Sequence, residues 1–174
     1  GSAVRVIGNQ VIGNTGGYQQ FGDGQGIGIQ ASGSIASGNI VADNILGIEL
    51  SSNGTASDNL VYGNSSRGLS VSTATARGNR VYDNSIGIIT NSSSSILNNL
   101  VYDNTVSGID VTGSSVTVEN NTVTQPIGNA VRLTGASVSN VTLRNNILVA
   151  DAGYVVNVAS TSQVGFTSDY NLLN

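Results

Sequence analysis

The sequence of 174 residues predicts an all-β fold, a parallel β-helix (β-solenoid) with internal asparagine ladders. A short motif recurs about every 20 residues, every copy carries an Asn at the same place, and aliphatic and polar residues alternate after that Asn. These observations together predict about seven to eight coils of roughly 20–25 residues, each with three short strands. We expect one domain over residues 3–174, with residues 1–2 an expression scar.

The recurring motif is clearest in four segments of seven residues. GNIVADN, DNLVYGN, GNRVYDN and NNLVYDN begin at positions 38, 58, 78 and 98, and weaker copies begin at 120 and 145. Aligned on the second residue, eight copies place an Asn in the same register: Asn9, Asn39, Asn59, Asn79, Asn99, Asn121, Asn146 and Asn171. The intervals between these residues are 30, 20, 20, 20, 22, 25 and 25.

The first strand of each coil follows this Asn, because such a short period leaves no room for two helices and the motif is rich in β-branched and aromatic residues. Side chains alternate across a strand, so the always aliphatic position two after the Asn is predicted to face the core. That row is Val11, Val41, Val61, Val81, Val101, Val123, Leu148 and Leu173. The row between tolerates charge and is predicted to face outward: Gln10, Ile40, Leu60, Arg80, Leu100, Thr122, Ile147 and Leu172.

The second and third strands follow the same alternation. Predicted inward pairs of the second strand are Ile48/Leu50, Leu69/Val71, Ile88/Thr90, Ile109/Val111, Val131/Leu133 and Val156/Val158. Predicted inward residues of the third strand are Ala36, Ala56, Ala76, Ile96, Val118 and Leu143. Its outward row is Thr55, Thr75, Ser95, Thr117, Thr142 and Thr167.

Stacking the coils brings like residues together along the axis, so buried Asn side chains are predicted to hydrogen-bond up and down the stack. The aligned Asn residues form one ladder. A second ladder closes the other end of the first strand and is expected to fail at Pro126: Asn14, Asn44, Asn64, Asn84 and Asn104. The ladders and the corners explain the load of 23 Gly, 22 Asn, 24 Ser and 14 Thr.

Composition excludes several kinds of chemistry. The chain contains no Cys, His, Lys, Met or Trp, which removes thiolate and imidazole metal sites, Ser-His-Asp triads and Cys nucleophiles. A net charge of −4 with scattered arginines offers no basic stripe for nucleic acid, and no apolar run is long enough to insert into a membrane. Sites that bind cations through oxygen atoms remain open.

The motif NxVYxN followed by Gly-Ile resembles the repeat of right-handed parallel β-helices of the pectate-lyase-like superfamily, including its copper-accessory and mannuronan-epimerase branches. The resemblance covers residues 5–174 and implies a right-handed solenoid. The stretch GFTSDYNLL at 165–173 resembles the last-coil pattern of large, repetitive bacterial surface proteins, which implies a secreted or cell-surface location. The epimerase catalytic His is absent, so no active-site residue is carried over.

The segment TGGYQQFGDGQ at 15–25 is expected to protrude as a loop. No amphipathic helix precedes residue 5 to cap the stack, and the sequence stops on the strand residues Leu172 and Leu173, so we expect a portion of a longer solenoid. The expected partners are therefore neighbouring coils or other surface proteins, with polysaccharide as a further candidate.

The candidate ligand-binding face contains Tyr62, Tyr82, Tyr102 and Arg80, since stacked aromatic rings on a solenoid are platforms for sugars or proteins. The alternative is that the tyrosines only cover the strand. Asp83 and Asp103, on adjacent coils at one corner, are weak candidates for a calcium site, or simply good turn residues.

Other polar groups are assigned no ligand. Asp110 and Arg132 are predicted to form an exposed ion pair of little energetic value. The outward Thr row has a companion two residues earlier, and the two are expected to form a flat array that superficially resembles ice-binding solenoids. The companion residues are Asn53, Thr73, Ser93, Ser115 and Asn140.

The sequence thus favours a noncatalytic structural or adhesive module of an extracellular solenoid protein, with no cofactor apart from the calcium candidate. The alternative is a β-helix domain that binds or processes a polysaccharide, with lyase-like or epimerase-like chemistry. Ice binding is a minor alternative.

Overall fold

A computed structural model describes residues 4–15 and 26–174 of the chain. The strands form about seven coils that stack into three parallel sheets, which confirms the predicted β-solenoid. In the part described, the only helical element is a 3-10 turn over Ser160–Ser162, and no helix is long and apolar enough to span a bilayer. Apart from Thr15, the loop predicted for 15–25 lies outside the described residues, as does the predicted scar at 1–2.

Each sheet collects one strand from every coil, in sequence order along the axis. The first sheet contains β2 (Gln10–Ile12), β5 (Ile40–Ala42), β8 (Leu60–Tyr62), β11 (Arg80–Tyr82), β14 (Leu100–Tyr102), β17 (Thr122–Gln125), β20 (Ile147–Ala150) and β23 (Leu172–Leu173). The second contains β3 (Ile27–Ser32), β6 (Leu46–Ser51), β9 (Arg67–Val71), β12 (Ile86–Thr90), β15 (Ser107–Val111), β18 (Asn129–Leu133) and β21 (Val156–Val158). The third contains β1 (Arg5–Ile7), β4 (Ile35–Ser37), β7 (Thr55–Ser57), β10 (Thr75–Arg77), β13 (Ser95–Leu97), β16 (Thr117–Glu119), β19 (Thr142–Arg144) and β22 (Thr167–Asp169).

The core lies inside the stack and consists of the predicted aliphatic rows. Strands pair in register, so that Val81 lies between Val61 and Val101, and Ala76 lies between Ala56 and Ile96. These residues are fully buried. Only toward the ends of the stack do the inward rows become accessible, at Val11, Val156, Val158 and Leu173.

The first asparagine ladder connects each coil to both of its neighbours. Asn79 donates from its backbone N and from Nδ2 to Oδ1 of Asn99, at 3.0 Å each, and its own Oδ1 accepts the same two bonds from Asn59. Nδ2 also reaches back to the carbonyl oxygen of Ala56 in the preceding coil, at 3.1 Å. A buried amide is thus fully satisfied, which offsets its desolvation and fixes the register of three coils.

The second ladder continues one coil further than predicted. Asn104 donates its backbone N–H to Oε1 of Gln125 at 3.0 Å, so Gln125 and not Pro126 occupies the next position. Strand β17 is one residue longer than the first-sheet strands before it, and the extra methylene of Gln lets the amide reach the ladder from one residue earlier. The amide of Gln125 is buried, and its Nε2 has no hydrogen-bond partner among the described residues.

A row of small residues at the start of the second sheet makes room for this second ladder: Gly28, Gly47, Gly68, Gly87 and Gly108. A Cβ at Gly87 would lie 2.6 Å from the carbonyl oxygen of Gly108, 2.7 Å from Cγ1 of Val101 and 2.9 Å from Nδ2 of Asn104. The next member of the row is Ala130, which comes after the last amide of the ladder. The Gly-Ile signal of the repeat therefore reflects space taken by the ladder amide and the Val side chain of the following coil.

The corners are built from residues in the left-handed region. Asp43, Asp83 and Asp103 have φ of 57°, 53° and 54°, and Gly63 in the same row has φ of 65°. Asp and Asn tolerate this region better than most residues, and Gly has no side chain to restrict it. The Asp-Asn and Gly-Asn pairs of the motif thus combine a corner residue with a ladder residue.

The ladder can be tested by the same substitution at two adjacent positions. Asn99→Gly removes the acceptor for the backbone N and Nδ2 of Asn79, so we expect the free energy of unfolding to fall by about 3 kcal/mol or more. Asn98→Gly changes an exposed corner residue with φ of 55°, in a row where Gly78 already stands, so its effect should stay within about 0.5 kcal/mol. Chemical denaturation followed by circular dichroism gives both values. Equal losses would show that Asn99 does not carry the ladder.

Candidate functional site

The three outer faces of the solenoid differ in chemistry, although they share one coil period. The outward residues of the first sheet include large apolar side chains that remain accessible, such as Leu100 at 41% and Ile147 at 45% exposure. The third sheet presents one row of hydroxyl groups and a second row of mixed residues that includes Arg77, Leu97 and Glu119. The second sheet presents a mixed row that includes Glu49, Ser70 and Ile89. The first sheet therefore carries the apolar face of the described coils.

We call this surface the tyrosine face and define it by two outward rows. Row one contains Ile40, Leu60, Arg80, Leu100, Thr122 and Ile147. Row two contains Ala42, Tyr62, Tyr82, Tyr102, Thr124 and Val149.

The three tyrosines of row two form a continuous stack. The ring centroids of Tyr62 and Tyr82 are 5.1 Å apart, those of Tyr82 and Tyr102 are 4.9 Å apart, and the ring planes differ by 10° and 6°. Parallel in-register pairing imposes this arrangement, because it places identical side chains one coil apart. Both faces of the Tyr82 ring are thus turned toward neighbouring rings, which leaves its edge and hydroxyl to meet a ligand.

Arg80 connects row one with the stack. Its Nε donates to the hydroxyl oxygen of Tyr102 at 2.7 Å, and its guanidinium carbon lies 5.3 Å from the ring centroids of both Tyr82 and Tyr102. These are distances at which a cation is attracted by aromatic rings. The structure thus brings together the four predicted residues Tyr62, Tyr82, Tyr102 and Arg80, and whether they bind a ligand remains a prediction.

Tyr82 remains a neutral phenol over the physiological range. Burial within the stack raises the pKa of Tyr82, the neighbouring Tyr102 and Tyr62 raise it further, and Asp83 adds to the effect, while Arg80 opposes it. Tyr82 therefore presents an uncharged hydroxyl group, and Arg80 supplies the positive charge of the face.

The corner beside the tyrosines contains the two calcium candidates, Asp83 and Asp103. Both are exposed and have positive φ, and the preceding member of the row is Gly63, where a Cβ would lie 2.5 Å from Oδ1 of Asp43. In the part of the chain that the structure describes, no three residues of the types His, Cys, Asp and Glu group together as a metal site. The corner geometry supports a turn role, and calcium binding by the pair remains a prediction.

The ion pair between Asp110 and Arg132 is not exposed as predicted. The side chain of Asp110 is 1% exposed and that of Arg132 is 30% exposed. Arg132 binds the carboxylate with two groups: Nε donates to Oδ1 at 3.0 Å, and Nη2 donates to Oδ2. The hydrogen bond to Asp110 raises the pKa of Arg132 above its ordinary value. The prediction was wrong because residues on the outer face of a sheet can still be covered by long side chains of the next coil.

A second polar contact on the outer face of the second sheet was not predicted from the sequence. Nε2 of Gln30 donates to Oε2 of Glu49 at 2.7 Å, between adjacent strands of the second sheet. Gln30 belongs to no predicted row. The interval between Asn9 and Asn39 is longer than the others, so the register of the second strand in the first coil cannot be read from the repeat.

The doubled hydroxyl array is also corrected. The Thr row stands on the third sheet as predicted, but its companion residues occupy corners with φ near 50–60°: Asn53 (64°), Thr73 (49°), Ser93 (48°), Ser115 (57°) and Asn140 (52°). The two rows therefore do not share one flat strand surface. This removes the geometric basis for the resemblance to ice-binding solenoids.

The comparisons with known proteins agree with this geometry. The family model described as right handed beta helix region matches residues 70–171, more than half of the chain, and the chain belongs to this family. Among solved structures, the chain is similar to the A-module of a mannuronan C-5 epimerase from Azotobacter vinelandii, with a TM-score of 0.57 and 15% identity. The similarity covers 98% of this chain and 56% of that one, and at this identity it shows the fold alone. No curated protein matches the chain.

The buried ion pair can be tested by a double-mutant cycle. Asp110→Ser leaves Arg132 without its acceptor, and Arg132→Ser removes the two donors of the pair and uncovers the carboxylate to water, so each should lower the free energy of unfolding by about 1–2 kcal/mol. The double variant should lose at least about 1 kcal/mol less than the sum of the two single losses. Urea denaturation of the four proteins measures the coupling. Additive losses would indicate that the two residues act independently.

Proposed function

We propose that this chain is a noncatalytic structural module of an extracellular or cell-surface solenoid protein, which acts as a spacer or an adhesive stalk. One observation carries the proposal: the buried polar residues are mainly the amides of the two ladders, and these bind other coils. A catalytic centre needs titratable groups that converge on a reacting atom. Here the polar chemistry of the interior is used for stacking.

The charged groups of the described coils support the same role. Asp110 is held by both donors of Arg132 and cannot act as a free base. The aspartates at the corner of the tyrosine face are exposed residues in turn conformation. None of these groups has the arrangement of an acid and a base on opposite sides of a substrate bond.

The rival function is binding or processing of a polysaccharide. It has support from the fold similarity to a module of an enzyme named for mannuronan, a polysaccharide. Lyase or epimerase chemistry requires a base beside a sugar carbon and usually a group that neutralises a carboxylate. The full sequence has no His or Lys for these tasks and offers only Tyr and Arg. This supports a module without turnover, and the extracellular setting is shared by both proposals.

Polysaccharide turnover distinguishes the two functions. The purified protein is incubated with alginate, pectate and other acidic and neutral polysaccharides, and the release of unsaturated uronates and reducing ends is measured beside a glycan array. We expect no turnover, because the described residues supply no converging base and acid. The ladder variant Asn99→Gly, prepared in the same way, serves as the control for contaminating activity.

Turnover that persists through purification and falls in Asn99→Gly together with its folded fraction would contradict the structural role. Binding to the glycan array without turnover would favour a carbohydrate-binding module.

A further inference from the structure

The tyrosine face is an apolar sheet surface that no described part of the chain covers. Leu100 and Ile147 remain 41% and 45% exposed on it, while the outward positions of the other two sheets are mainly polar. Sheet faces pack stably when their apolar rows meet another apolar surface. A partner of the tyrosine face must therefore present an apolar surface of matching shape.

The geometry of the stack favours a protein surface over a sugar. Aromatic residues hold sugars by presenting a free ring face, but Tyr82 lies between two rings that are nearly parallel to its own. Tyr62 and Tyr102 each have one ring face without a stacked ring, toward Ala42 and Thr124, and the remaining outward surface consists of ring edges and the side chains of row one. Such a surface can interdigitate with side chains that repeat at the same interval. Another stack of coils has side chains with this spacing.

Charge complementarity favours a second copy of this chain as the partner. Arg80, in row one, lies on one margin of the face, and Asp83 and Asp103 lie at the corner that follows row two. Two copies related by a twofold axis can meet face to face in two ways. The twofold axis lies in the interface plane, and it runs either parallel to the solenoid axis or perpendicular to it. With the axis along the solenoid, row one of each copy faces row two of the other, at the same coil level.

We propose that the tyrosine face mediates a parallel, face-to-face homodimer with its twofold axis along the solenoid. Leu60 and Leu100 then meet Tyr62 and Tyr102 of the second copy, and Ile40 meets the small Ala42. On dimerisation the Arg80 side chain exchanges its hydrogen bond to Tyr102 for the carboxylate of Asp83 of the second copy, twice by symmetry.

In the crossed arrangement, the twofold axis is perpendicular to the solenoid axis and row one of each copy faces row one of the other. Arg80 then lies near Arg80 of the second copy when the centres of the two faces coincide. The charges therefore disfavour it. The proposal goes beyond the role of a structural module and does not depend on it, since an enzyme with this face would dimerise in the same way.

The contact is expected to be weak. Six strands at about 4.8 Å give a face only about 24 Å long, with strands of three or four residues across it. An interface of this size belongs to the small, transient class. Self-association should therefore be visible only in a concentration series, which we would follow by sedimentation equilibrium up to about 1 mM protein.

The first test removes apolar contacts without disturbing the fold. Leu100→Thr combined with Ile147→Thr introduces a residue that row one already contains at Thr122, and we expect at least about a tenfold weaker dimer. The matched control is Ile89→Thr, on the outer row of the second sheet beside Ser70, which should change the dissociation constant less than about twofold. A wild-type protein that stays monomeric throughout the series, or equal effects of both variants, overturns the proposal.

The second test exchanges charges and reports orientation. Arg80→Asp and Asp83→Arg alone should each abolish self-association, because like charges then face each other. An equimolar mixture of the two should form a heterodimer, and the double variant should dimerise again. In the crossed arrangement, the double variant would place Asp beside Asp and stay monomeric.

Thermal melts confirm that each variant is folded, and a mixture of folded variants that does not associate overturns the proposal. Should wild type stay monomeric and bind a polysaccharide through this face, with binding lost in the Leu100 and Ile147 double variant, the face would be a carbohydrate site instead.

Discussion

The hydrogen bond from one asparagine to the Oδ1 of the next coil is the interaction on which the rest of the structure depends. Each buried amide of the first ladder accepts from the coil before it, donates to the coil after it and also reaches a backbone carbonyl, as Asn59 does with Ala36. A buried amide has few alternatives to these partners, since leaving them unpaired costs about 1–3 kcal/mol per group. The ladder therefore holds every strand in one register, and the rows follow from it.

The ladder also determines which residues are tolerated around it. Gly87 is needed because Nδ2 of Asn104 and Cγ1 of Val101 in the following coil occupy the space of a Cβ. Ala130 is accepted in the same row once the ladder has ended at Gln125. Ala130 is thus the first residue of the row whose following coil has no ladder amide. This is expected when a methyl group and an amide would occupy the same space.

This dependence explains how far the sequence predicts the molecule. The inward rows and both ladders could be read from it, because each is repeated in many coils and period and register are local properties. Features that occur in only one coil could not be predicted from the sequence. Gln125 replaces a ladder Asn through one extra methylene, and Asp110 is covered by Arg132 from the next coil. Both depend on side-chain conformation, which alternation along a strand does not specify.

Parallel stacking finally accounts for the low charge of the chain, since in-register pairing sets like side chains one coil apart. Aromatic rings gain from this, as in the tyrosine stack, but like charges repel. Where charges do stack they alternate in sign, as in Glu119, Arg144 and Asp169. Asp83 and Asp103 depart from this rule, and exposure makes that tolerable: at about 5 Å in water two charges repel by only about 0.8 kcal/mol. The same pair inside the stack would cost several times more, so the charged residues of the coils that the structure describes lie in outer rows and corners.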